Sequence, residues 1–210
     1  MQSYSAYTPA LAEANAAHLR GNDAPENIFF GVEATDGRLP ALEDGVSWPL
    51  LLNNYSIVGF RGNYLQMLRV ARPTSMLFDR PTAAATARVG EWVNVPWSGE
   101  LVWARIAMRP TIAGRLVLAT FKLPRVSIEL KLADGRTVRH RYIPEMGRAG
   151  FLLSPYVGST VDFVMAASGE DSGQDVRQLR LETPAVGLWE RHISLSFTVL
   201  GISRRRDAGK

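Results

Sequence analysis

Cysteine is absent from this chain of 210 residues, which excludes disulfides, a thiol nucleophile and any zinc site built on thiolates. Histidine is scarce. His18, His140 and His192 share no paired spacing, so no metal site is expected from them, and nothing in the sequence asks for a cofactor. No apolar run approaches the ~20 residues that cross a bilayer as a helix. Met1 to Arg20 lacks the basic start and apolar middle of a signal peptide. The chain as given is therefore expected to be soluble, whether it stands alone or is a segment of a secreted or membrane-anchored protein. Catalytic signatures are missing too. Neither a Gly-x-Ser-x-Gly elbow nor a glycine-rich phosphate cradle occurs, and Ser98 and Ser154 read as turn residues.

What is present is a β pattern. In Val126 to Ile143, Val126, Ile128, Leu130 and Leu132 alternate with polar residues, the periodicity that puts one face on a core and the other in water. The alternation resumes beyond Asp134-Gly135. A two-residue Asp-Gly loop would oppose Leu130 to Arg139 and scramble the faces, whereas a three-residue loop with left-handed Gly135 opposes Leu130 to Val138 and Ile128 to His140. The second register is expected. It also sets Val126 beside Tyr142 on the core face and Glu129 beside Arg139 on the wet face.

Composition of 46% hydrophobic and 21% charged residues suits one large β core. Pro9 to Leu19 reads as a short helix stopped at Gly21, Asn27 to Glu33 as a strand, and Ser47-Trp48-Pro49 as the cap and opening of a helical turn. Tyr55 to Val70 is either two strands or a strand and a short helix. Leu101 to Met108 is apolar on both faces and fits a strand between two layers. Arg115 to Phe121, Gly150 to Val157, Val161 to Met165, Val176 to Leu181 and Ile193 to Ile202 continue the β series. The expected fold is mainly β, a jelly roll or β-sandwich, with one or two short helices in the N-terminal part. Residues 1–203 form a single domain with an N-terminal helical extension over about 1–55, and 204–210 form a disordered basic tail.

Net charge is +4, part of it in Arg204, Arg205 and Arg206 of that tail. The basic cluster Arg136, Arg139, His140 and Arg141 makes no nucleic-acid face, because alternation sends His140 away from Arg139 and Arg141. No nucleic-acid partner is expected.

The runs GELVWARIAM, VSIELKLADGRTVRHRYIPEMGRAGFLLSPYV and GNDAPENIFFGVEATDGRLPALEDGVSWPLLL resemble the soluble domain that follows the transmembrane helices in uncharacterised bacterial polytopic membrane proteins related to lipid-linked-sugar glycosyltransferases. The resemblance covers most of the chain. It implies a jelly-roll, carbohydrate-binding-like module on the periplasmic side of a bacterial inner membrane, in contact with a glycan or lipid-linked sugar and with transmembrane segments or a membrane protein. The catalytic acids of such transferases lie in loops among the membrane helices, so no catalytic residue is carried over.

Candidate binding residues follow from aromatic and carboxylate chemistry. Trp97 lies in a turn, where an exposed indole can stack on a sugar ring, with Glu100 or Asn94 accepting from hydroxyls. Asp44, close to Trp48, is the best carboxylate candidate. Trp92 and Trp103 are expected in the core and Trp189 in the core or at its rim. Glu43, Glu100, Glu145, Asp162, Glu170 and Asp171 are the remaining acids for a glycosidase pair, which needs two carboxyls ~5 to ~9 Å apart across a cleft. Three readings stand in order: a glycan-binding accessory module without catalysis, a docking domain, and a carboxylate-dependent glycan-active enzyme.

Overall fold

A computed structural model describes residues 8–71, 81–96, 99–121, 124–170 and 173–200. Trp97, Ser98, Asp171 and the basic tail lie outside them. Among the described residues no helix is long and apolar enough to cross a membrane.

The described residues are mostly β, with eleven strands in three antiparallel sheets. They open with helix α1 (Pro9–Arg20), where Thr8 Oγ1 accepts from Leu11 N and Gly21 ends the last turn. Strand β1 (Asn27–Phe30), helix α2 (Trp48–Asn54) and strands β2 (Tyr55–Arg61) and β3 (Tyr64–Arg69) follow. Tyr55 to Val70 is thus two strands, and they form the first sheet in the order β1-β3-β2. Helix α2 begins at Trp48 as expected, although Ser47 makes no capping bond and Pro49 alone supplies the first-turn signal.

The hairpin β7 (Val126–Leu132) and β8 (Thr137–Tyr142) has the expected register: Val126 faces Tyr142, Ile128 faces His140, Glu129 faces Arg139 and Leu130 faces Val138. Gly135 has φ +88, a conformation that favours glycine, and closes the bulged loop. Glu129 departs from expectation. It is buried, because Arg139 and Arg180 cover it: Arg180 Nη2 lies 2.7 Å from Glu129 Oε2 and Arg139 Nη1 lies 3.3 Å from Oε1. The hairpin belongs to a sheet in the order β5-β10-β7-β8, with β5 (Val93–Asn94) and β10 (Val176–Glu182). A second four-stranded sheet runs β4-β11-β6-β9, from β4 (Ala83–Arg88), β6 (Leu101–Ala107), β9 (Phe151–Ser154) and β11 (His192–Leu200). Strand β6 buries Leu101, Val102, Trp103, Ala104 and Ile106, so both its faces are covered, as its composition predicts. One contiguous hydrophobic cluster takes residues from all three sheets.

Two segments expected as strands are helices. Residues Arg115 to Phe121 lie in and just beyond α3 (Ile112–Thr120), and Val161 to Met165 lies within α5 (Thr160–Ser168). Local capping decides both. Thr111 Oγ1 accepts from Gly114 N at 3.1 Å, and Ser159 Oγ accepts from Asp162 N at 3.2 Å. A further short helix, α4 (Pro144–Ala149), joins β8 to β9, so helices are not confined to the N-terminal part.

Candidate functional site

A cavity of about 390 Å³ opens where β1 meets the segment before α2, lined among others by Phe29, Phe30, Glu43, Asp44, Trp48 and Tyr64. Among the described residues strand β1 pairs with β3 alone, so its other edge has no described strand partner. The facing wall is a chain of short 3-10 turns, Pro40–Leu42 and Gly45–Ser47, running into α2. Its start is tied to the hairpin: Leu39 N donates to Arg141 O at 3.2 Å, and Arg38 forms a parallel bridge with Arg141.

Trp48 is held firmly. Its Nε1 donates to Glu43 O at 3.2 Å, and its ring meets Phe30 and Phe163 edge-on at centroid distances of 5.7 and 5.5 Å. With 3% exposure it is a wall and cannot offer an open stacking face. Tyr64, at 51%, and Phe29, at 60%, are the exposed aromatics of the cavity. Tyr64 lies against Gly31, where a Cβ would crowd its ring at 2.9 Å from Cδ1, so glycine there makes room for the phenol.

The two acids differ in occupation. Glu43 accepts from Thr35 N at 3.2 Å and from Thr35 Oγ1 at 3.0 Å, and stands 3.5 Å from Arg38 Nε. Burial raises its carboxyl above the usual value, against the lowering pull of Thr35 and Arg38. These bonds give Glu43 the task of fixing the preceding turn. Asp44 sits in the left-handed region with φ 51 and ψ 41, a conformation uncommon for any residue but glycine and best tolerated by Asn and Asp. Burial pushes its carboxyl up to about 6, while Ser47 and Asn15 lower it. Among the described residues neither Asp44 Oδ1 nor Ser47 Oγ, both buried, has a well-formed hydrogen bond. Asp44 thus brings a desolvated carboxyl of raised pKa to the wall of the cavity.

The other described sequence-derived candidates, Asn94 and Glu100, do not line this cavity. Asn94, on β5, is exposed and accepts from Gln178 Nε2 at 2.8 Å; Glu100 is exposed just before β6. Trp97 lies outside the described residues. Trp92 is half-buried rather than a core residue, with Lys131 Nζ 4.1 Å and Arg180 Cζ 4.6 Å from its ring centroid. Trp103 and Trp189 are buried as expected. His140 is half-buried on the hairpin, with Nε2 2.9 Å from Tyr156 Oη. Asp162 is committed to α5, where its carboxylate accepts from Gly158 N and Ser159 Oγ.

Of the residues lining this cavity, the sequence singles out Asp44 and Trp48 but not Phe29, Phe30 or Tyr64. The available signal was Asn-Ile-Phe-Phe-Gly: consecutive aromatics on a strand face opposite ways, and a following glycine leaves space beside them. Among the described residues no group of three His, Asp or Glu side chains is placed to hold a metal ion. No known protein family, curated protein or solved structure matches this chain.

Proposed function

We propose that the chain is a non-catalytic accessory module that holds a glycan of the bacterial cell envelope in the cavity beside β1. The observation that carries this reading is the union, in one cavity of about 390 Å³, of the exposed aromatics Tyr64 and Phe29 with the underbonded carboxylate of Asp44. Aromatic faces stack on the C–H faces of sugar rings, and a carboxylate accepts from their hydroxyls. The volume lies within the range of small-molecule sites. The binding aromatic is Tyr64 rather than Trp48, whose indole forms the floor. The two four-stranded sheets are read as the layers of a jelly-roll-like sandwich that carries the site, and the setting is the periplasmic face of the inner membrane, as the resemblance implies.

A glycan array followed by titration calorimetry tests this. Cell-envelope oligosaccharides are expected to bind with Kd on the order of 1 mM to 1 μM. Tyr64→Ala and Asp44→Ala should each weaken binding by at least about tenfold, the value of one good contact. A blank array, or titrations indifferent to both substitutions, would remove the glycan reading.

The raised Asp44 carboxyl favours a second reading, a glycan-active enzyme with Asp44 as proton donor. Glu43 is its nearest partner in sequence, but it is engaged by Thr35 and Arg38. Product release from an oligosaccharide that binds, abolished by Asp44→Asn with binding retained, would move the assignment to this reading.

A further inference from the structure

Helix α3 carries apolar side chains outward. Ile112 is 78% exposed, Leu116 68%, Leu118 51% and, just past its end, Phe121 74%, with Val186 of the neighbouring 3-10 turn at 50%. The inward contact is narrow. Gly114 is the buried residue of the helix, and a Cβ there would overlap the Leu188 carbonyl oxygen. Thr111 fastens the N-terminus, its N–H donating to Leu188 O at 3.0 Å and its Oγ1 to Gly187 O at 3.2 Å. The helix is thus anchored through its backbone and one threonine, while its larger side chains face water. An exposed patch of this kind marks a contact surface.

The charges around it are cationic. Arg109 and Arg115 flank the patch on the same segment, and Arg191 is brought close because Glu190 N donates to Arg109 O at 2.8 Å. All three arginines are exposed, and none forms an ion pair with a described carboxylate. Glu190 is the acid adjoining this group. Apolar side chains bordered by exposed guanidinium groups match the two layers of an anionic bilayer surface, acyl chains below and phosphates above. A protein partner would need a concave apolar groove, and nothing on this convex helix selects one. We infer that α3 is an interfacial membrane-contact helix, with Ile112, Leu116 and Phe121 entering the headgroup boundary of anionic lipid and Arg109, Arg115 and Arg191 meeting its phosphates.

The full chain should cosediment with phosphatidylcholine vesicles containing phosphatidylglycerol, and less with phosphatidylcholine alone. Raised salt should weaken the binding. Ile112→Glu and Leu116→Glu should each lower partitioning by about tenfold or more while leaving the melting temperature unchanged, since both side chains are already in water. Because the chain has no cysteine, Leu116→Cys can carry a unique environment-sensitive dye. Its emission should shift to the blue on vesicles, and the same dye at Thr137→Cys, at the start of β8, should not respond. Absence of cosedimentation, or binding indifferent to Leu116→Glu, overturns the inference. So does a dimer in sedimentation velocity that Leu116→Glu dissociates without any vesicle binding, which would make α3 a contact between copies.

Discussion

Tyr142 Oη donates to the main-chain oxygen of Ile106 at 2.9 Å, a buried bond from the last residue of the hairpin to the C-terminal end of β6. It ties one four-stranded sheet to the other with a directional contact inside an apolar interior. The same phenol fills the space over Gly147, where a Cβ would overlap its oxygen. Tyr142→Phe keeps the ring and deletes the bond, so a loss of ~1–3 kcal/mol is expected. Urea unfolding should show a lower midpoint at unchanged slope.

Asp44 makes folding pH-dependent in a direction opposite to most carboxylates. The folded group holds its proton up to about 6, against 3.8 for an ordinary aspartate, so the folded state binds more protons between these limits. Stability from this group is full below the lower value and falls as pH rises through the upper one. The loss is on the order of 3 kcal/mol at neutral pH. Asp44→Asn, which tolerates the left-handed backbone, should raise the melting temperature at pH ~8 and converge with the parent protein near pH ~3.5.

His140 works the other way. Burial lowers its pKa below 6.5, against the raising effect of main-chain bonds to Gly37 and Arg38. On acidification the unfolded chain takes up this proton first, so stability is full above about 6.5 and drains as pH falls below it. Imidazole titration by NMR should place His140 below the ordinary histidine range. His140→Gln should flatten the stability profile between pH ~7 and ~5. Because Asp44 and His140 act with opposite signs, the paired variants separate the two contributions.

Glu129 accepts from Arg180 Nε at 2.9 Å and from Nη2 at 2.7 Å, and Glu182 and Arg139 complete the cluster. Removing Arg180 takes away both short bonds to the buried Glu129 carboxylate and leaves it with Arg139 at 3.3 Å. A double-mutant cycle of Glu129→Gln with Arg180→Met should give a coupling of ~1–3 kcal/mol, above the value of an exposed pair.

Much of the β architecture is legible in the sequence where neighbours in space are also neighbours in the chain. Register in the β7-β8 hairpin follows from alternation and one left-handed glycine. Helices α3 and α5 are hidden by composition, because Ile112, Val117, Val161 and Val164 suit strands as well as helices. The capping residues Thr111 and Ser159, the latter followed by Asp162, held the deciding signal. The candidate cavity divides in the same way. Asp44 and Trp48 stand out because they are close in sequence, whereas Tyr64 arrives through the β1-β3 pairing. Burial of Glu129 depends on Arg180, which comes from a strand 51 positions away.

Gly114 is a single missing side chain with a mechanical effect. Since α3 meets the Leu188 carbonyl at backbone distance, the height of Ile112 and Leu116 above the protein is set by that one gap. Any larger residue at 114 acts as a shim, prying the helix off its seat and tipping its apolar face relative to Arg109 and Arg191. The reach of the surface is thus governed from beneath, by a position that touches nothing outside the protein.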